Sequence, residues 1–371
     1  MKIGILTYHF SINFGAVLQC YSLLTALREA GYEAVVINYV SDEQADNISL
    51  YRKNRNIKSV VKNALLLPFH KLRKERNTLF GDFLKNHLKC TRKVKDYEGF
   101  KSLLEEEEFD AIFVGSDQVW NPKIKDFDRI FFLKGIQGVR KVGYAVSIGE
   151  ATIDDLYPYR NEINNFDIVS MREKSAADII KNFCSKNIQI ALDPTFLLSH
   201  EQWKDLCLSS REVPSNKYLT CLFLNKEKYE NNLAAAKSFA DRMGLQLVLL
   251  EMRVSKTSIK YHGVINIGPS EFLKYIQNSA CVITDSFHTT VFPLLLNVPF
   301  YSINNNPESN DTRRIELLCR FSMEKNYISV DELEKRDLPH LNSNNVNKVL
   351  QEMRYSSFSL INEMLSEKKC F

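Results

Sequence analysis

The sequence predicts an α/β protein built from two Rossmann-like domains that face a cleft. Short apolar runs typical of buried strands alternate with amphipathic segments typical of helices over most of the chain. This alternation stops at the polar stretch SSREVPSN (209–216), which has the composition of a linker, and then starts again. The 371 residues, of which 44% are hydrophobic and 25% charged, are enough for two such domains.

The first half contains six predicted strands and a well-marked first helix. The strand segments are KIGILTY, EAVVINYV, DAIFVGS, VGYAVSIG, DIVSMR and IQIALD. The segment AVLQCYSLLTALREA has a helical pattern and is closed by Gly31, a residue typical of helix C-termini. We therefore expect an N-terminal domain over 1–208, with a basic helical excursion over 51–90.

The second half repeats the pattern and predicts a C-terminal domain over 217–335. Its strand segments are KYLTCLFL, QLVLLE, VINI and CVITD. Helices are expected near 227–243, from Pro269 onward, and after His288. The last segment, 343–369, has a helical pattern and is expected to pack back on the first domain.

Composition excludes several classes of function. A net charge of +4 is too small and too diffuse to predict nucleic-acid binding. The eight cysteines show no Cys-x-x-Cys pair, which predicts reduced thiols of a cytoplasmic protein without a zinc site. The excursion is basic around the apolar core ALLLPF. It is either a solvated helix or a peripheral contact with the inner face of a membrane.

Ligands of open α/β sheets bind beyond the carboxyl ends of the strands, so polar residues at those ends are candidates. After the first strand, a tight turn contains Asn13 and Gly15, with Gln19 one helical turn later. A second group suits sugar binding, because its polar side chains accompany an aromatic ring. The alternative for this group is a structural turn with a core tryptophan; its members are Ser116, Asp117, Trp120 and Asn121.

Three further strand or helix ends carry groups suited to an anion or a proton. Arg172 follows DIVSM, and its planar fork suits a carboxylate or phosphate, although alone it could be an ion pair. Ser286 and His288 follow CVIT; a lone histidine is more often structural, but this one adjoins a serine and Asp285. Asp193, by contrast, begins Asp-Pro-Thr, which is typical of capping. Arg313 and Arg314 stand at the start of a helix.

Seven motifs occur in order between residue 7 and about residue 321. They are NFGAVLQCY, GSDQVWN, GYAVSIG, SMREK, LDPTFLL, SFHTTVFPLLLNVPF and RIELL. Through them the chain resembles the polysaccharide pyruvyl transferase family. The resemblance implies a fold similar to GT-B glycosyltransferases and transfer of the enolpyruvyl group of phosphoenolpyruvate to two sugar hydroxyls, giving a pyruvate ketal.

The resemblance also implies that the domain over 1–208 is on the acceptor side and the domain over 217–335 on the donor side. It implies roles for the candidate residues as well, without a metal or a resident cofactor. His288 is the expected acid and Asp117 the expected base or acceptor ligand. Many members carry Arg-x-His where this chain has Ser286-Phe287-His288, so the donor is expected to depend on other cations. Those expected donor ligands are Arg172, Ser286, Arg313 and Arg314, and the expected acceptor ligands are Asn13, Gly15, Gln19, Ser116, Trp120 and Asn121.

Two other functions fit parts of the pattern. A nucleotide-sugar glycosyltransferase of GT-B type would share the architecture, but it usually has carboxylates after the last strands, and Asp285 is the only acid between Cys281 and Asn306. A non-catalytic carbohydrate-binding protein would keep Trp120 without needing His288, Arg172 and Arg314 together. The expected acceptor is a sugar, free or on a lipid-linked oligosaccharide, and the sequence does not indicate an oligomeric state.

Overall fold

The computed structural model describes residues 1–53, 57–208, 211–252, 254, 259–305 and 312–366, which form two compact units. Both units are α/β, and the described strand pairs of both sheets run parallel, which confirms the predicted fold class. Parts of the predicted linker (209–210), of the basic excursion (54–56) and of the last helix (367–369) lie outside the described residues. No helix in the described ranges is long and apolar enough to cross a bilayer.

The two units divide the chain at different positions from those expected. The first comprises Met1–Asn63, Leu84–Leu198 and Met353–Phe371, and the second comprises Ala64–Phe83 and Ser199–Glu352. The middle half of the basic excursion, Ala64–Phe83, therefore belongs to the second unit. One reason is that Arg76 donates from Nη1 to the carbonyl oxygen of Met252 at 2.6 Å, and Phe80 and Phe83 are buried.

The first unit contains a six-stranded sheet in which all six predicted strands are present, in the order β2-β1-β3-β4-β5-β6. The strands are β1 (Lys2–Leu6), β2 (Glu33–Val36), β3 (Ala111–Val114), β4 (Arg140–Val146), β5 (Ile168–Met171) and β6 (Ile188–Ile190). The helices up to β6 are α1 (Phe14–Glu29), α2 (Asp42–Ile48), α3 (Ile57–Leu66), α4 (His70–His87), α5 (Tyr97–Glu107), α6 (Ile153–Leu156), α7 (Arg160–Asn164) and α8 (Lys174–Ile180).

The core of the first unit lies on both faces of its sheet, because alternate side chains of a strand point to opposite faces. Along β3, Ile112 and Val114 join one apolar cluster, whereas Ala111 and Phe113 join the other. The second cluster also contains side chains of the last helix, including Ile361. Helix α1 ends as predicted, since Gly31 adopts a φ of +88° two residues after the helix.

The second unit contains a five-stranded sheet in the order β11-β10-β9-β7-β8. The strands are β7 (Tyr218–Leu222), β8 (Gln246–Leu249), β9 (Cys281–Thr284), β10 (Phe300–Asn304) and β11 (Tyr327–Ser329). After β6, the helices whose bounds the described residues give are α9 (His200–Leu206), α10 (Tyr229–Arg242), α11 (Pro269–Gln277), α12 (Phe287–Leu295), α13 (Thr312–Arg320) and α14 (Ser343–Ser366), of which α14 extends from the second unit into the first.

The second sheet differs from the prediction in two respects. The predicted strand VINI is not a strand, because Val264 forms only an isolated bridge with Leu250. After Pro299, where no strand was predicted, the structure has β10, in which Phe300 pairs with Val282. β11 pairs with β10 and forms the edge of the sheet.

The strand order identifies one candidate ligand-binding edge in each sheet. In the first sheet, β1 pairs with β2 on one side and with β3 on the other. In the second sheet, β7 pairs with β8 on one side and with β9 on the other. Loops that leave neighbouring strands in opposite directions open a crevice at such a switch point, where α/β proteins bind ligands. The loops after β1, β3 and β9, together with the first turns of the helices that follow β1 and β9, contain most of the residues selected from sequence.

Candidate functional site

The loop after β3 is held against the end of β1 by buried polar side chains. Gln19 donates from Nε2 to Thr7 Oγ1 at 3.0 Å and accepts at Oε1 from the Ser116 amide at 3.3 Å. Thr7 in turn donates to the Ser116 carbonyl at 3.0 Å, and Ser116 Oγ donates to the Ala145 carbonyl at 2.6 Å. Gln19 and Ser116 are fully buried, so they position the loop and offer no surface to an acceptor.

Asn13 and Gly15 belong to the start of α1. The Asn13 side chain caps the helix by accepting from the amides of Gly15 at 3.0 Å and Ala16 at 3.4 Å. The oxygen that was expected to bind an acceptor is thereby bonded to the protein backbone. Asn13 and Gly15 shape the turn after β1.

Trp120 does not form a sugar platform, which corrects the expectation from sequence. Its ring is fully buried, stacks on Phe132 at 5.6 Å and packs edge-on against Phe166 at 5.0 Å between ring centroids. Its indole N–H donates to the Phe131 carbonyl at 3.1 Å. Asn121 is also buried and donates to Gln118 Oε1 at 2.7 Å. The alternative considered above, a core tryptophan beside a structural turn, is the one observed.

Asp117 is the member of this loop that keeps access to solvent. Its side chain is 14% exposed, and its φ of +71° lies in the left-handed region, which non-glycine residues rarely adopt. Such a backbone conformation costs on the order of 1–3 kcal/mol and is found preferentially at functional sites. The geometry thus retains Asp117 as a candidate functional carboxylate.

Arg172 is enclosed by three carboxylates. It donates to Glu173 Oε1 at 3.0 Å and to Asp193 Oδ2 at 2.7 Å, and it lies 3.8 Å from Asp117 Oδ1. Burial alone would lower its pKa, but these carboxylates outweigh burial and raise it above its ordinary value. Because three acids already neutralise the cation, Arg172 orients them and does not present a spare positive charge to a donor.

Asp193 caps the turn that follows it, as the sequence suggested. Its Oδ1 accepts from the Thr195 amide at 3.0 Å and from Thr195 Oγ1 at 2.7 Å, while Oδ2 accepts from Arg172. Both carboxylate oxygens are therefore engaged within the protein.

Sequence reasoning missed two groups at this edge, Tyr8 and Glu173. Within the described part of the chain, the buried atoms Tyr8 Oη and Glu173 Oε2 have no hydrogen-bond partner. Burial, followed by the charges of Asp117, Asp126 and Asp128, raises the pKa of Tyr8 well above its ordinary value. Tyr8 is thus a neutral donor close to Asp117. The sequence signal that could have found them is position: Tyr8 lies two residues after β1, and Glu173 directly follows Arg172.

At the second edge, Asp285 holds three strand ends together. It accepts from the amides of Leu224 at 2.6 Å and Asn225 at 3.1 Å, and from Asn305 Nδ2 at 2.7 Å. These partners follow β7 and β10, while Asp285 itself follows β9. The Asp285 carboxylate therefore fixes the short loop between β9 and the helix that contains His288.

Ser286 caps α12, and His288 lies in the first turn of that helix. Ser286 Oγ accepts from the Thr289 amide at 3.4 Å, and the Ser286 amide donates to Thr284 Oγ1 at 3.0 Å. Ser286 is therefore a cap and not an exposed donor ligand. The half-buried His288 ring meets the Phe287 ring edge-on, with 5.2 Å between centroids.

Arg313 and Arg314 differ in what they contact. Arg314 is buried and donates from Nη1 to Ser302 Oγ at 3.0 Å and to the Ile303 carbonyl at 2.8 Å. Arg313 is half-buried, with its guanidinium carbon 5.9 Å from the centroid of the Phe287 ring. The structure therefore brings Arg313 and His288 to the same aromatic ring, while Arg314 supports β10.

The support from Arg314 extends to the start of α12. Ser302 Oγ lies 3.0 Å from Thr290 Oγ1, and Thr290 Oγ1 donates to the Ser286 carbonyl at 2.9 Å. This buried chain links α13, β10 and the first turn of α12. At this edge, Arg313 and the N-terminus of α12 are the groups suited to an anion.

Comparison with known proteins was made at the level of sequence family and of solved structure. Residues 13–307 match the family described as polysaccharide pyruvyl transferase. The matched range covers most of the chain and includes His288, Asp117 and Arg172. No curated protein matches the sequence.

Solved structures with a similar fold include two epimerases. UDP-GlcNAc 2-epimerase from Methanocaldococcus jannaschii has a TM-score of 0.53 and 11% identity, over 96% of this chain and 100% of that chain. UDP-N-acetylglucosamine 2-epimerase from Rickettsia bellii has a TM-score of 0.50 and 9% identity, over 98% of each chain. At such identity the likeness concerns the fold alone. It confirms the expected similarity to GT-B type enzymes.

Proposed function

Because the chain belongs to the polysaccharide pyruvyl transferase family, we propose that it transfers the enolpyruvyl group of phosphoenolpyruvate to a sugar of a surface polysaccharide or of its precursor. The product is a cyclic pyruvate ketal, and phosphate is released. The observation that carries the proposal is the placement of His288 and Arg313 against Phe287 at the start of α12. An imidazole and a guanidinium that contact the same ring suit proton transfer to a bound anion.

The proposed reaction begins with a proton moving from His288 to the methylene carbon of phosphoenolpyruvate. That carbon becomes a methyl group, and the neighbouring C2 becomes electrophilic. One sugar hydroxyl then adds to C2, and a second hydroxyl of the same sugar displaces phosphate by breaking the C2–O bond. Of the two hydroxyl protons released, one restores His288 and the other leaves on phosphate, so atoms and charges balance.

The remaining groups act on the two substrates separately. Arg313 and the first amides of α12 hold the anionic donor. Asp117 accepts the proton of the first attacking hydroxyl and passes it to the leaving phosphate. In this assignment Arg313 supplies the cation that many members have two residues before the histidine, because Ser286 stands there in this chain.

The test is incubation of the purified protein with phosphoenolpyruvate and glycosides of galactose, mannose and N-acetylmannosamine. We expect acceptor-dependent release of phosphate and a product that gains the mass of pyruvic acid less one water. Parallel reactions with UDP-sugars test the glycosyltransferase alternative. Release of UDP without consumption of phosphoenolpyruvate, or sugar binding without any turnover, would contradict the proposal.

A further inference from the structure

Exposed apolar side chains concentrate on α3 and the turn that follows it. Elsewhere among the described residues, large exposed apolar side chains occur singly or, in the case of Ile153 and Tyr157, as a pair. Between positions 57 and 67 there are five: Ile57 (82% exposed), Val60 (48%), Val61 (52%), Leu65 (70%) and Leu67 (60%). Single exposed apolar residues are ordinary, whereas a contiguous group indicates an interaction surface.

The apolar residues of α3 share one face of the helix. Positions 57, 60, 61, 64 and 65 are occupied by Ile, Val, Val, Ala and Leu, and they follow the i, i+3, i+4, i+7, i+8 repeat of an amphipathic helix. No described residue of α3 is buried. A ten-residue helix is shorter than the roughly 12–15 residues that an isolated helix needs in water, so covering this face would stabilise α3.

The charge around α3 has one sign. Between Asp46 and Glu75 the sequence contains eight lysines and arginines and no acidic residue. Two of them, Lys58 and Lys62, are exposed on α3 itself. Lysine chains at the border of an apolar face can extend their methylenes along it and keep the ammonium group in water. An apolar face bordered by cations complements a surface that is anionic outside and apolar beneath.

We propose that α3 lies on the surface of an anionic lipid bilayer. Its apolar face enters the boundary between headgroups and acyl chains, and Lys58 and Lys62 lie among the lipid phosphates. The proposal rests on the exposure, periodicity and charge of α3 and does not depend on the proposed reaction. It therefore stands or fails independently of any assay of pyruvyl transfer.

The test is co-sedimentation of the full chain with vesicles of phosphatidylcholine alone or mixed with phosphatidylglycerol. We expect binding to the mixed vesicles only, and strong weakening between about 0.1 M and about 1 M salt, where the Debye length falls from about 10 Å to about 3 Å. Lys58→Glu combined with Lys62→Glu should weaken binding by about tenfold or more. Ile57→Ser, Val61→Ser and Leu65→Ser together should abolish it.

The matched control is Tyr355→Ser, because Tyr355 is 80% exposed on α14, outside the cluster. It should bind vesicles as the wild type does. The two tryptophans, Trp120 and Trp203, are buried in different units, so unchanged fluorescence verifies that each unit of every variant is folded. No binding, equal binding to both vesicle types, or a change of oligomeric state in the serine variant without lipid would overturn the proposal.

Discussion

Arg313 lies against Phe287, with its guanidinium carbon 5.9 Å from the ring centroid. The same Phe287 ring also meets the His288 imidazole edge-on. A guanidinium and an imidazole therefore contact one side chain at the first turn of α12. The sequence does not pair Arg313 with His288, because Arg313 is in α13 and His288 is in α12. Their common contact is what makes this edge a candidate for an anionic donor.

His288→Ala should lower turnover with little effect on folding. Loss of a general acid typically costs about 10²- to 10⁴-fold in rate. The measurement is phosphate release under saturating substrates, with circular dichroism as the folding check. His340→Ala, a change at an exposed histidine of the same unit, is the control and should retain activity. A folded His288→Ala enzyme with wild-type turnover would remove His288 from the mechanism.

Arg313→Ala should raise the KM for phosphoenolpyruvate. A hydrogen bond to a charged group contributes about 1.5–3 kcal/mol, which corresponds to about 10- to 150-fold. Arg313→Lys should lie between, because lysine keeps the charge but loses the bidentate fork. Arg320→Ala, at the exposed end of the same helix, serves as the matched variant. An unchanged donor KM in Arg313→Ala would mean that a different cation holds the donor.

Tyr8→Phe should stabilise the protein slightly. A buried hydroxyl without a partner among the described residues is costly, so its removal raises the free energy of unfolding. Tyr39→Phe should lower the free energy of unfolding by about 0.5–1.5 kcal/mol, because Tyr39 donates to Asp128 Oδ2 at 2.7 Å. Urea unfolding of the two variants measures both changes. A destabilised Tyr8→Phe would show that the hydroxyl is bonded in the folded protein.

Arg172→Met should destabilise the first unit strongly. Removing one partner of a buried ion cluster typically costs about 3–5 kcal/mol, since uncompensated charge remains, and here Asp193 and Glu173 would lose their cation. Arg92→Met provides the comparison, because the Arg92–Glu106 pair is exposed to solvent and its loss should hardly change the melting temperature. Equal effects of the two changes would contradict the role given to Arg172.

His9→Asn should flatten the pH dependence of stability on the acidic side. His9 is buried between the Thr7 carbonyl and Asn38 Oδ1, and burial lowers its pKa. Below about pH 6.5 the unfolded chain binds a proton that folded His9 does not, so the free energy of unfolding falls as the pH falls. The difference in slope between wild type and variant should approach about 1.4 kcal/mol per pH unit at most. Parallel slopes in urea unfolding at pH 7.5 to 5.5 would exclude this contribution.

The α/β class, the six strands of the first sheet and most helix positions followed from sequence because hydrophobic periodicity and end signals are local. The helix from Pro269 to Gln277 and the close of α1 before Gly31 are examples. Strand ends could also be located, and with them the loops that contain Asp117 and His288. The strand β10 was not predicted, because its short apolar segment follows an apolar helix after only a few residues and Pro299 is the main sign of the change.

Tertiary structure decided which strand-end side chains are available and which are structural. A motif states that Trp120, Gln19 and Arg172 follow strands, but not that neighbouring segments bury the first two and surround the third with acids. The same distant contacts leave Tyr8 Oη without a partner among the described residues. Side-chain environment depends on contacts between segments far apart in the chain, which periodicity does not encode, so sequence located the loops and only the folded structure distinguished their roles.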